Sequence, residues 1–88
     1  MPRVVMYLTG SCGYCHAAER LLEKKGFHDI ERIRVDLEPA RRAEMRARSG
    51  RTSVPQIWID GRHIGGCDEL YELEHEGALE RLFETERT

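Results

Sequence analysis

The chain has 88 residues, with 14 Lys plus Arg against 16 Asp plus Glu, 40% hydrophobic and 34% charged. That length fits one domain over residues 1–88, whose core would bury about 60 to 70% of the surface of the unfolded chain, and the composition excludes a disordered, collagenous or repeat protein. A net charge of −2 gives no overall attraction to nucleic acid or to an anionic membrane.

The longest apolar run, Val4 to Leu8, is far short of the roughly 18 residues of a membrane-spanning helix. No charged start followed by an apolar core marks a secretory signal, so a soluble, cytoplasmic protein is expected. Three cysteines are too few, and odd in number, for a disulfide-stapled secreted scaffold. Chemistry is the better use for them.

In chain order, the β-branched run Val4 to Leu8 reads as a buried strand, broken by Thr9-Gly10-Ser11. From Gly13, Ala17, Ala18, Leu21 and Leu22 share one face at helical spacing, and Lys24, Lys25 and Gly26 supply the cations and glycine that end a helix. Ile33, Val35 and Leu37 alternate with Arg34 and Asp36, the period of a half-buried strand over 30–37. A strand, helix, strand unit is parallel by default. Pro39 suits the first turn of a second helix that Gly50 closes, with a thin stripe of Ala40, Ala43 and Ala47.

Gln56 to Asp60 is a further apolar strand, and Asp60-Gly61 predicts a tight hairpin returning through Arg62 to Ile64. Asp68 is placed to cap a helix carrying Leu70 and Leu73, and beyond Gly77 a last stretch packs Leu79, Leu82 and Phe83. The expected fold class is α/β, a small four-stranded mixed sheet with helices on both faces.

Cys12-Gly13-Tyr14-Cys15 lies where the first strand hands over to the first helix. A three-residue offset puts both sulfurs on one side of the first turn. Free N–H groups and the helix dipole there favour the thiolate of Cys12, the nucleophile, while Cys15 is suited to attack a mixed disulfide formed at Cys12 and resolve it. Structural zinc is the poorer reading, because a second cysteine pair is missing and His16 projects from another side of the helix. His16, His28, His63 and His75 receive no role.

Ser53-Val54-Pro55 precedes a buried strand. The plain reading is a trans proline at a strand entrance; a cis bond would instead leave the Val54 backbone free to pair with an extended peptide. Gly65-Gly66-Cys67-Asp68 opens a helix, where N–H groups can hold a carboxylate and Asp68 a substrate ammonium, or where Asp68 is an ordinary cap. Cys67 has no partner near in sequence and suits a packed small residue. Arg41, Arg42, Arg46, Arg48 and Arg51 read mainly as a solvated face balanced by Glu38 and Glu44.

The three motifs Cys12-Gly13-Tyr14-Cys15, Ser53-Val54-Pro55 and Gly65-Gly66-Cys67-Asp68, with Gln56-Ile57-Trp58-Ile59-Asp60 after the proline, closely resemble a glutaredoxin of the small bacterial dithiol kind over nearly the whole chain. The resemblance implies a thioredoxin fold with Pro55 cis, and glutathione as reductant of glutathionylated and disulfide-bonded proteins, with ribonucleotide reductase among the partners it admits. It implies that the Val54 backbone pairs with the cysteinyl residue of glutathione, that Tyr14 lines the groove, and that Cys67 and Asp68 hold the γ-glutamyl end, with Gly66 also among the glutathione-binding residues. Thr9 stands where the family often has a lysine for the glycine carboxylate, and Arg42, Arg51 or Gln56 are the candidates to replace that cation. Ser53 replaces the usual threonine.

Gly13 stands where proline is common. Family members with a small residue there include some that hold a [2Fe-2S] cluster between two protomers. That is the alternative function, with Cys12 as the protein's cluster ligand and glutathione supplying the remaining thiolates. A monomer suits the oxidoreductase, a bridged dimer the cluster.

Overall fold

The computed structural model describes residues 2–87. The apolar run forms β1 (Val4–Leu8), and α1 (Gly13–Lys24) follows and leads into β2 (Ile30–Arg34). β2 pairs with β1 in parallel, with Val4 opposite Ile30 and Leu8 opposite Arg34, a pairing that needs a crossover of α1's length. After α2 (Pro39–Ser49), β3 (Gln56–Ile59) pairs antiparallel with the other side of β1, and β4 (Arg62–Gly65) pairs with β3. The sheet is four-stranded and mixed, in the order β2-β1-β3-β4. At the β3–β4 turn Asp60 and Gly61 both take positive φ, 51° and 80°, the backbone that a two-residue Asp-Gly hairpin needs.

Alternation along the strands divides the core. Val4, Met6, Leu8, Ile57 and Ile59 face a layer built by Ala18, Leu21 and Leu22 of α1, Leu70 of α3 (Cys67–His75) and Leu79 of α4 (Ala78–Arg87). On the opposite face Tyr7, Ile33, Val35 and Trp58 pack with Met45 of α2. Helices thus cover both faces, as the pattern predicts. The side chain of Phe83, expected to pack in α4, lies outside the described residues. Among the described residues no helix is long and apolar enough to cross a membrane.

Three local expectations are corrected. The second strand stops at Arg34, and although Val35 is buried and donates its N–H to Leu8 O, Leu37 is 68% exposed. Arg34 and Asp36 bind each other through two hydrogen bonds, of 2.8 and 2.6 Å, and the N–H groups of Leu37 and Glu38 turn back onto Arg34 O. Two-residue periodicity therefore ends in a turn. Ala40, Ala43 and Ala47 are exposed, and Met45 is the buried residue of α2. Asp68 is not the cap of α3: Gly66 holds that position, and Glu69 reaches back so that its Oε1 accepts the Gly66 N–H at 2.6 Å, half of a capping box.

Candidate functional site

Cys12 caps α1. Its backbone is extended (φ −88°, ψ 115°), and its Sγ accepts the Cys15 N–H at 3.1 Å. The sulfur thus sits at the positive end of the helix, among N–H groups that have no partner within it. Cys12 is partly exposed, whereas Cys15, one turn deeper, is wholly buried. Burial pushes the Cys15 thiol up to about 12, helped by its hydrogen bond with Cys12. The two sulfurs are therefore unequal: one open at a helix terminus, one held as a protonated thiol beneath it. All three cysteines are free.

The Val54-Pro55 peptide bond is cis, which corrects the plain trans reading. Val54 O lies 3.9 Å from Cys12 Sγ, so the dithiol and the segment before β3 meet although 42 residues separate them. Beside them opens a cleft of about 180 Å³. Arg51, Ser53, Val54 and Pro55 form one wall, Gly66, Cys67, Asp68 and Glu69 the other, and Tyr14, 68% exposed, stands at the end near the cysteines.

Two glycines shape the second wall, and Gly66 lets it approach the first. A Cβ on Gly66 would stand 3.2 Å from Pro55 O, and one on Gly65, whose φ is 115°, would strike Glu69 Oε1 at 2.6 Å. The backbone at Gly65 needs glycine, and at Gly66 a side chain would crowd the Pro55 carbonyl. Glu69 ties the walls together: the oxygen that takes the Gly66 N–H also takes Arg51 Nη1 at 2.9 Å. These two contacts, the N–H first, hold the Glu69 carboxyl below its ordinary range. Burial, with the Asp68 charge behind it, pushes the Cys67 thiol up, so Cys67 stays a thiol in the cleft wall.

Of the residues singled out from the sequence, Tyr14, Ser53, Val54, Pro55, Gly66, Cys67 and Asp68 line this cleft, with Cys12 at its edge. Thr9 does not; its backbone bears instead on the Cys15 thiol, partly offsetting the upward push of burial. Among the three candidates for a cation or donor, Arg51 lines the cleft and Arg42 does not, while Gln56 is fully buried and occupied by Ser53 and His63. Sequence reasoning misses Glu69, although a signal is present: an acidic residue three positions after a helix start is half of a capping box.

Exposure and protonation together predict a labelling pattern. Brief iodoacetamide treatment near neutral pH should add one group, on Cys12, with Cys15 and Cys67 modified only after unfolding; peptide masses read this directly. Equal labelling of Cys15 would contradict the geometry.

A free dithiol at the head of the first helix, beside a cis-proline segment, on a mixed sheet covered on both faces, defines a thiol–disulfide oxidoreductase of the thioredoxin fold. Comparison with known proteins narrows the class. Residues 4–64 match the glutaredoxin family. Glutaredoxin 3 of Escherichia coli strain K12 is 49% identical over 82 residues, 93% of this chain and 98% of that protein. The solution structure of glutaredoxin from Brucella melitensis superposes with a TM-score of 0.80 at 46% identity, covering 91% of this chain and 86% of that one. The crystal structure of a buckwheat glutaredoxin–glutathione complex gives 0.84 at 31% identity, covering 92% and 76%. The chain belongs to the glutaredoxin family.

Proposed function

We propose that this chain is a glutathione-dependent oxidoreductase, reducing protein–glutathione mixed disulfides through Cys12 and protein disulfides through Cys12 and Cys15. The observation that carries this reading is the open Cys12 sulfur at the start of α1, 3.9 Å from the Val54 carbonyl on the wall of a cleft. Glutathione bound in the buckwheat relative supports the choice of ligand.

The Cys12 thiolate attacks the glutathione sulfur of the mixed disulfide; that S–S bond breaks, and the substrate cysteine leaves with the electron pair and takes up a proton. A second glutathione thiolate attacks the sulfur now bound to Cys12, releasing oxidised glutathione and restoring the Cys12 thiolate. The transferred glutathionyl sulfur enters and leaves at the disulfide level, so the incoming glutathione is the reductant. With a protein disulfide, Cys12 attacks one sulfur and the other leaves as a thiol; Cys15 then displaces the remaining substrate thiol by forming a Cys12–Cys15 disulfide, which two glutathiones reduce with release of oxidised glutathione. Capture removes the negative charge from Cys12, and with it one cause that holds the proton on Cys15. The resolving thiol becomes easier to ionise when it is needed.

The Val54 backbone is suited to pair with the extended cysteinyl residue of glutathione. Gly66, Cys67 and Asp68 at the N-terminus of α3 suit the γ-glutamyl end, where N–H groups meet its carboxylate and Asp68 its ammonium. Arg51 suits the glycine carboxylate, with Ser53 and Tyr14 on the walls. Turnover of a glutathionylated peptide, followed as oxidised glutathione, should be saturable in wild type. Asp68→Ala should raise KM about three- to tenfold with kcat within twofold, the scale of one exposed charge-assisted contact. Negligible wild-type turnover, above all from a coloured dimer, would overturn the reading; an unchanged KM would remove Asp68 from the site.

A further inference from the structure

Gln56 opens β3 with a side chain wholly withdrawn from solvent, and a buried amide persists where its donors and acceptor are matched. Its Nε2 donates to Ser53 O at 3.1 Å and lies 3.4 Å from Ser53 Oγ. Its Oε1 is 2.9 Å from His63 Nε2. An amide oxygen only accepts, so the ring carries its proton on Nε2 at this contact. The His63 ring is itself seated on Trp58, with centroids 4.6 Å apart, and the Arg48 guanidinium lies 4.5 Å from the Trp58 ring. Arg48, Arg51 and Glu69 are the charged groups around His63. A continuous line of contacts therefore runs from the aromatic platform on the α2 face, through the Gln56 amide, to the carbonyl one residue before Val54.

We propose that Gln56, oriented by His63, is a positioning residue that fixes the Ser53 carbonyl and thereby the Val54 backbone on which the substrate is laid. The inference rests on the cleft being the glutathione site. It differs from mere filling of the core in what it predicts. A core residue that only packs changes stability, whereas a residue that aims the Val54 backbone changes substrate affinity and leaves the reacting sulfur untouched.

The test compares Gln56→Met, similar in volume but unable to donate to Ser53 or accept from His63, with His63→Phe, which keeps an aromatic ring over Trp58 but cannot donate to Gln56. In Gln56→Met, KM for a glutathionylated peptide should rise about five- to tenfold, the scale of one or two lost hydrogen bonds. Its kcat and the rate of Cys12 alkylation should stay within twofold of wild type. His63→Phe should show the same split at about two- to threefold in KM, and it carries the test alone if Gln56→Met fails to fold. KM unmoved in folded variants, or kcat falling as KM rises, would overturn the role of Gln56. Absence of glutathione turnover in wild type overturns the function itself, so the two failures are told apart.

Discussion

Cys12→Ser should abolish turnover with both kinds of substrate, lowering kcat/KM by about three orders of magnitude or more, the scale seen when a covalent nucleophile is removed. Cys15→Ser should behave differently. It should keep deglutathionylation within a few-fold of wild type and lose reduction of protein disulfides, with the substrate accumulating as a stable adduct on Cys12 that intact mass would reveal. The asymmetry follows from the two environments. Cys12 is partly exposed and sits where α1 offers its free N–H groups, whereas Cys15 is buried with its thiol pushed up to about 12. A serine at 12 keeps the hydrogen bond from the Cys15 N–H but supplies no thiolate. A serine at 15 leaves the attacking sulfur and its helix terminus in place. Equal loss in the two variants would sink the assignment of attacker and resolver.

Features written in consecutive residues are legible in the sequence itself. The start and stop of α1, the Asp60-Gly61 hairpin and the dithiol at a strand-to-helix junction are local signals, and each stands at its expected position in the fold. What the sequence conceals depends on partners brought from a distance. Leu37 continues a two-residue period, but the Arg34–Asp36 pair bends the chain before it. Arg51 and Glu69, 18 residues apart, close the cleft with one shared carboxylate oxygen. Gln56 resembles a ligand contact because polar side chains usually face solvent, yet it starts a strand buried at every residue, and its donors are spent inside. Among the arginines read as a solvated face, Arg48 is an exception: it bonds Tyr7 Oη at 2.8 Å and lies over Trp58.

The second large effect belongs to α2, where the sequence pattern points to the wrong residues. Met45→Ala should destabilise the fold by about 2 to 5 kcal/mol, the usual cost of truncating a buried Met to Ala. Ala43→Ser should change stability by less than about 0.5 kcal/mol, as exposed substitutions do. The contrast arises because a stripe of small alanines buries little, while one unbranched thioether spans the gap to the sheet and fills it. Met45 is fully buried against Tyr7, Ile33, Val35 and Trp58, with Val54 packed on the edge of that cluster. For a domain of this size the loss is a large share of about 4 to 13 kcal/mol of total stability. It should lower Tm by roughly 10 °C or more. Urea melts of the two variants would measure it, and a Met45→Ala loss below about 1 kcal/mol would show that α2 is held by something other than this contact. Because Val54 shares the cluster, the same cavity should also loosen the backbone facing Cys12. Residual activity of Met45→Ala should therefore fall with temperature earlier than its unfolding curve.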